Sequence, residues 1–293
     1  MPRQLSRLQL IERSIHKKFR NSLWNPFIAA IKRYDLIAPG DRIGVCISGG
    51  KDSMLMAKLF QELLRHSDTP FEAVFLVMDP GYQEKNRRLL EENAKLLNVP
   101  IQIFETDIFA VTASTEKNPC YLCARMRRGH LYAKARELGC NKIALGHHFN
   151  DVIETTLMGL LYGGQIQAMR PKLRSTNFKG MELIRPMYCV HEDDIIAWAR
   201  YNDLHFLRCA CTFTEQNHSC EDPGSSKRLA TKQLIRTLRA DFPVVETNLF
   251  HAIHDVNMDT LVGYSLRGTP VPFQTQYALE GELDQKSVSQ CDS

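Results

Sequence analysis

Between Arg42 and Leu161 the chain alternates short, uninterrupted apolar runs with longer segments whose apolar residues recur every three to four positions. Arg42–Ile47, Phe71–Met78, Ile101–Thr106 and Lys142–Leu145 are the apolar runs. Asp52–Leu64, Gln83–Leu97, Tyr121–Leu138 and Asp151–Tyr162 carry the helical period, the last stopped by Gly163-Gly164. Strands that are apolar on both faces and joined by helices predict an α/β fold: a doubly wound parallel sheet with helices on both sides. In such sheets, ligands collect beyond the carboxyl ends of the strands. Two polar motifs, Ser48–Ser53 and Gly146–Asp151, each follow directly on a predicted strand, so both should lie on one rim.

Outside this region the pattern is looser. Phe19–Tyr34 has a helical pattern, Glu182–Arg185 suits a strand and His191–Tyr201 a helix. Ser225–Ala240 suits a basic helix bearing Lys227, Arg228, Lys232, Arg236 and Arg239. From Gln274 the chain turns polar and acidic, the composition of a frayed tail. Four parts are therefore expected: a basic helical arm over 1–36, an α/β domain over 37–208, a cysteine loop with a helical extension over 209–273, and a flexible tail over 274–293.

Hydrophobic residues make up 44% and charged residues 24% of the 293 positions, which places the chain among ordinary globular proteins. No apolar run approaches the roughly 18–20 residues of a membrane helix, so neither a membrane partner nor a membrane location is expected. Eight Lys or Arg against one Glu between Met1 and Arg33 resemble a transit peptide, but the segment runs straight into a patterned helix. It is therefore expected to stay on a cytoplasmic protein and to suit a polyanionic partner, or to be a solvated helix face. The net charge of +4 agrees with a nucleic-acid partner without requiring one. The nine cysteines form no expected disulfide framework; Cys46, Cys140 and Cys189, set among apolar residues, suit small buried thiols.

The first polar motif, Ser48-Gly49-Gly50-Lys51-Asp52-Ser53, has the chemistry of a phosphate cradle. Two glycines let backbone N–H groups converge on an anion, and a helix beginning at Asp52 or Ser53 adds its positive end. Lys51 brings a mobile charge, Ser48 and Ser53 bring hydroxyls, and Asp52 can work through Mg²⁺. It is not a Walker loop, since Val45 stands where that motif needs its first glycine. The motif resembles the PP-loop of the N-type ATP pyrophosphatases, which cleave ATP between the α and β phosphates and adenylate an oxygen. The resemblance implies adenine contacts around Val77, Met78 and Asp79.

Cys120-Tyr121-Leu122-Cys123 opens a helix after Pro119, and the spacing brings two thiolates within reach of one metal or cluster. A redox pair, a structural zinc completed by Cys209, Cys211 or Cys220, and inert thiols are the competing readings. Pro119–Tyr132, Lys142–Asp151 and Leu160–Gly164 together resemble the tRNA 2-thiocytidine synthetase (TtcA) family over roughly Ile37 to Arg208. That resemblance implies a 4Fe–4S cluster on Cys120, Cys123 and a later cysteine. Cys209 is expected in that place, with Cys211 the alternative and Cys220 a weaker one, because the family's second CxxC is here Cys209-Ala210-Cys211. It also implies a catalytic or Mg²⁺-linked Asp151, which would alternatively serve as a helix cap, and an anion-steadying Arg127. His147 and His148 admit structural or functional roles.

The function so implied is ATP-dependent thiolation of a tRNA pyrimidine at O2, cytidine 32 for this family, with ATP, Mg²⁺ and the cluster as cofactors. A sulfide or persulfide donor and a homodimer are expected as partners. A 2-thiouridine synthetase, a lysidine synthetase and a non-catalytic ATP- or metal-binding sensor remain as alternatives.

Overall fold

The apolar runs pair into one six-stranded sheet in a computed structural model that describes residues 5–109, 119–207, 227–275 and 277–278. In chain order, α1 (Arg7–His16), a five-residue π-helical segment (Arg20–Trp24) and α2 (Asn25–Arg33) precede β1 (Arg42–Ile47). Next come α3 (Lys51–His66), β2 (Glu72–Asp79), α4 (Glu84–Leu96) and β3 (Ile101–Glu105). They are followed by α5 (Pro119–Glu137), β4 (Lys142–Ala144), α6 (Phe149–Gly163), β5 (Lys172–Arg174) and β6 (Glu182–Ile184). Last in this run are α7 (Glu192–Tyr201), α8 (Lys227–Asp241) and α9 (Val245–Ala252).

The strand order is β3-β2-β1-β4-β6-β5, parallel throughout except for β5, which runs antiparallel to β6. The chain builds outward from β1 to β3, then crosses back to lay β4 on the other side of β1. The topological switch point therefore lies between β1 and β4, where the two polar motifs emerge.

Alternation along the strands divides the core between two faces. Ile43, Val45 and Ile47 of β1 join Phe75 and Val77 of β2 on one face, while Cys46, Val74 and Leu76 turn to the other. The first face is roofed by helices that bury Ile11, Ile15, Phe27, Phe60 and Trp198. The second is covered by α5 through Tyr132 and Ala135. Gly44 lets that helix approach: a Cβ there would lie 3.3 Å from the Ala135 Cβ and 3.1 Å from Leu76 Cδ1. The doubly wound arrangement is thus the one the unbroken apolar runs predict.

The N-terminal segment departs from the single helix expected over Phe19–Tyr34. Pro26 lacks an N–H to continue a ladder and stands in the first turn of α2, so the chain enters through the π-helical segment instead. Helix α1 lies within the basic helical arm expected over 1–36 and starts with a capping box in which Ser6 Oγ accepts from the Gln9 N–H at 3.2 Å and Gln9 Oε1 from the Ser6 N–H at 2.9 Å. It is tied to α3 through fully buried Lys58, whose ammonium donates to Glu12 at 2.8 Å, Gln61 at 2.8 Å and the Leu97 carbonyl at 3.1 Å. Strand β5 is an addition, too short for a periodic signal.

Packing divides the chain into Met1–Phe250 and His251–Ser293. The second unit carries a hairpin of β7 (Gly263–Leu266) and β8 (Thr269–Pro272). Its two-residue turn, Arg267-Gly268, has φ of 53° and 85°, the primed geometry that suits twisted hairpins. No described helix is long and apolar enough to cross a membrane.

Candidate active site

Strand β1 ends at Ile47, and Ser48-Gly49-Gly50 turn the chain into α3 at Lys51. Gly49 has φ of +83°, and a Cβ there would fall 2.6 Å from Leu207 Cδ1 and 3.0 Å from Leu90 Cδ1. Glycine is required on both counts. The Leu207 N–H donates to the Gly49 carbonyl at 3.2 Å, so the segment leading toward Cys209 is fastened to the loop. Within the loop, Ser53 Oγ donates to the Gly50 carbonyl at 3.0 Å and accepts from the Ser48 N–H at 3.1 Å. The sixteen-residue α3 thus presents its positive end just where the loop closes. Lys51 donates to Asp52 and Glu192, each at 3.1 Å. Burial opposes its charge, but these two carboxylates outweigh burial and hold its pKa above the ordinary lysine range.

The second motif packs directly on the first. A Cβ on Gly146 would lie 3.2 Å from the Ser53 nitrogen and 3.3 Å from the Asp52 carbonyl carbon, so the two rims touch backbone to side across the switch point. His148 is the N-cap residue of α6, and its N–H donates to Asp151 Oδ2 at 3.1 Å. Asp151 therefore completes a capping box from the third helical position, and the cap itself is His148. The buried His148 ring has Nε2 3.5 Å from Asp151 Oδ2 and 3.8 Å from Asp52 Oδ1, which places an imidazole between two carboxylates. Burial alone would raise the Asp151 pKa, but the His148 and His147 rings, the His148 amide and Arg228 together pull it below the usual carboxylate value. Asp52 Oδ1 is buried and accepts no hydrogen bond among the described residues. The Lys51 ammonium stands 3.1 Å from that oxygen, and two neighbouring carboxylates, Asp52 and Asp151, are a donor set that a hard divalent cation fits.

Ser48, Asp52, Ser53, Met78, Arg127 and Asp151 line one cavity of about 520 Å³, together with Gly146, His147 and Arg185. Lys51 and Gly50 line a neighbouring cleft of about 750 Å³ that also meets Ser48 and Asp52. Asp79, by contrast, turns inward, accepting from the Gly81 and Tyr82 amides at 2.9 and 2.7 Å and pairing with Arg87. Cys120 and Cys123 lie within the first five residues of α5, seven and four residues before Arg127. Cys209, Cys211 and Cys220 lie outside the described residues. Cys46 and Cys140 are buried and Cys189 half-buried, all three free; burial pushes the Cys46 thiol up to about 12, the state of an inert thiol.

Sequence reasoning missed three residues that the fold brings to this site. Arg185 is buried, donates to His147 Nδ1 at 3.3 Å and to the Arg170 carbonyl, and meets no carboxylate in an ion pair among the described residues. Burial lowers its pKa to about 10, and burial with the Arg185 charge lowers that of His147 to about 4. Glu192 takes Lys51 on one side and Lys232 on the other; burial would raise its pKa, and the two ammonium groups hold it at about 2. Arg228 spans Asp151 and Glu154, each at 3.0 Å, and Thr155 at 3.3 Å. With Arg239 on Asp193 at 2.8 Å, the basic face of α8 is largely neutralised by acids of α6 and α7. The acidic start of α7, His191-Glu192-Asp193-Asp194, reads locally as helix-end charge, so no sequence signal linked it to Lys51.

Residues 14–212 match the PP-loop domain of the ATP_bind_3 family. The chain is 35% identical over 230 residues to a tRNA-cytidine(32) 2-sulfurtransferase of Anaeromyxobacter dehalogenans (strain 2CP-C), covering 78% of this chain and 76% of the relative. It is 36% identical over 242 residues to the enzyme of that description from Syntrophotalea carbinolica, covering 81% and 90%. Its fold is similar to that of the U34-tRNA thiolase NcsA from Methanococcus maripaludis, solved with its 4Fe–4S cluster. There the TM-score is 0.62 at 18% identity, over 85% of this chain and 83% of that one.

Proposed function

This chain belongs to the PP-loop family of tRNA-cytidine(32) 2-sulfurtransferases, and from that membership we infer that it uses ATP to replace the O2 of cytidine 32 in tRNA by sulfur. One observation carries the assignment of residues: the phosphate loop, the Gly146–Asp151 motif and the arginines of the cysteine helix face a single cavity.

In this reading the amides of Ser48–Ser53, the hydroxyls of Ser48 and Ser53, and Lys51 hold the ATP phosphates. Met78 lies against adenine. Asp52, whose Oδ1 accepts no hydrogen bond among the described residues, and Asp151 would hold Mg²⁺, which draws charge from the phosphates when bound. The neutral O2 of the base attacks the α-phosphorus and pyrophosphate leaves, so the adenylated base carries a positive charge. Hydrosulfide then adds at C2, its proton passes to solvent, and AMP departs with the original O2. Arg127 and the unpaired Arg185 face this cavity and stabilise the charge that gathers on the α-phosphate. Cys120, Cys123 and a third cysteine would hold a 4Fe–4S cluster, which supplies an iron site for the incoming sulfur. Cys209 is the third ligand in this proposal, supported by the bond that ties Leu207 to Gly49; Cys211 is its alternative. The base must leave its stack to reach the rim, as an unpaired loop nucleotide does readily. A sulfide or persulfide donor, a homodimeric working unit and a cytoplasmic site of action complete the proposal.

The test is reconstitution with iron and sulfide under anaerobic conditions, followed by Mg²⁺, ATP, sulfide and tRNA. AMP, pyrophosphate and 2-thiocytidine should appear in equal amounts, and Cys120→Ser or Cys123→Ser should abolish the thionucleoside. Formation of 2-thiouridine or lysidine, or pyrophosphate release indifferent to tRNA, would overturn the assignment.

A further inference from the structure

Helix α7 has its two ends in different settings. Its first residue, Glu192, binds Lys51 of the phosphate loop. Its last, Tyr201, lies in a groove of about 560 Å³ whose other wall is α1 and the turn after it. Arg7, Arg13, Lys17 and Lys18 line this groove, all are exposed, and none forms an ion pair among the described residues. The contrast with α8 is informative, because three of its cations are already bound to acids beside the reaction cavity. A group of four cations without acid partners among the described residues therefore lines the groove at the far end of α7. Asp203 is the one acid in the groove wall; its carbonyl accepts from Arg7 at 3.0 Å and its carboxylate stands 3.5 Å from His205.

The groove also offers a flat aromatic. Tyr201 is 55% exposed, and the Lys18 ammonium sits 3.8 Å from its ring centroid. Cations that track a backbone beside an aromatic that accepts a base are the means by which proteins hold single-stranded nucleic acid. The cations do not hang on a loose tail: α1 is capped at Ser6 and buries Ile11 and Ile15 in the main core. Between the two ends of α7 runs the cleft lined by Lys51, Arg200 and His205. The ten residues of α7 cover about 15 Å, the length of a few nucleotides.

We propose that the groove between α1 and the end of α7 binds the phosphate backbone of the RNA substrate, with Tyr201 stacking on a base, while the modified nucleotide enters the cavity at the other end of α7. The proposal rests on tRNA being the substrate and assigns the surface that holds it.

The experiment is fluorescence anisotropy of labelled tRNA with the full chain at several salt concentrations between about 50 and 200 mM. Arg13→Ala/Lys17→Ala/Lys18→Ala should bind at least about tenfold more weakly, and the slope of log affinity against log salt should shrink by about 2–3. Lys17→Arg/Lys18→Arg should keep wild-type affinity. Tyr201→Ala should weaken binding several-fold, and Tyr201→Phe should leave it unchanged. In the thiolation assay the triple variant should raise KM for tRNA and preserve kcat at saturation. Unchanged affinity and slope in the triple variant overturn the proposal, as does loss of binding to anionic lipid vesicles with tRNA affinity intact. A wild-type chain that forms no 2-thiocytidine overturns the proposed function instead, and the anisotropy series still decides on the groove.

Discussion

Gly49→Ala tests whether the phosphate loop and the segment ahead of Cys209 are one mechanical unit. The substitution forces an L-residue to φ of +83°, which costs about 1–2 kcal/mol. The new methyl would lie 2.6 Å from Leu207 Cδ1, about 1 Å inside the optimal separation of carbon atoms, so Leu207 must move at a cost of about 1–3 kcal/mol. The sum is about 2–5 kcal/mol. Leu207→Ala alone empties a nearly buried site for about 2–3 kcal/mol. In the double variant the clash with Leu207 is gone, and the backbone strain, the lost packing and the 3.0 Å approach to Leu90 Cδ1 remain. The two changes should therefore fall short of additivity by about 1–3 kcal/mol. Urea unfolding of the four proteins closes the cycle, and ATP binding by the same proteins shows whether the displaced Leu207 carries the loop with it. Additivity within about 0.5 kcal/mol would refute the reasoning, because the loop would then give way without disturbing Leu207.

Arg185→Met should leave the melting temperature unchanged or raise it, since a buried, unpaired guanidinium is costly, while thiolation falls by about 10²-fold or more; a large loss of stability with kcat preserved would contradict the role given to it. His147 is held neutral by burial and by Arg185, with a pKa near 4 against about 6.5 in the unfolded chain. The unfolded state thus binds the extra proton between those values, and the stability His147 contributes, up to about 3 kcal/mol, is complete above about pH 6.5 and lost as pH falls toward 4. His147→Gln should flatten the stability profile over that window, measured by urea titrations at successive pH values. Glu12→Gln should cost about 3 kcal/mol by stranding the charge of fully buried Lys58, whereas Glu12→Leu/Lys58→Met should come near wild type. A Glu12→Gln protein as stable as wild type would mean that water reaches Lys58.

The sheet and its working rim were readable because the information is local. Strands buried on both faces must be apolar at every position, and Val74–Met78 could hardly be anything else. The phosphate loop compresses its glycines, lysine and hydroxyls into six residues, so its chemistry survives without knowledge of the rest. The parts that escaped depend on distant partners. Glu192 looks like a helix-end acid until the fold sets it between Lys51 and Lys232. Arg185 looks like an ordinary charge beside a proline until the sheet buries it. The α8 segment reads as a basic helix, yet Arg228, Lys232 and Arg239 are bound to acids of their own chain. The helical arm over 1–36 was expected, but not the bounds of α1 or its place in the core, because Ile11 and Ile15 are a short apolar pair among charges and only the core they enter gives them weight.

The crossover from β3 back to β4 has a consequence for how the protein is born. Ser53 and Gly146, whose atoms abut in the finished molecule, are separated by 93 residues of chain. At about 5–20 residues per second of translation, roughly 5–20 seconds pass between the emergence of one wall of the nucleotide chamber and the arrival of the other. During that interval the nascent polypeptide carries half a receptor for ATP. The catalytic compartment comes into being only when β4 docks against β1, so its assembly marks a late step of maturation and not an early one.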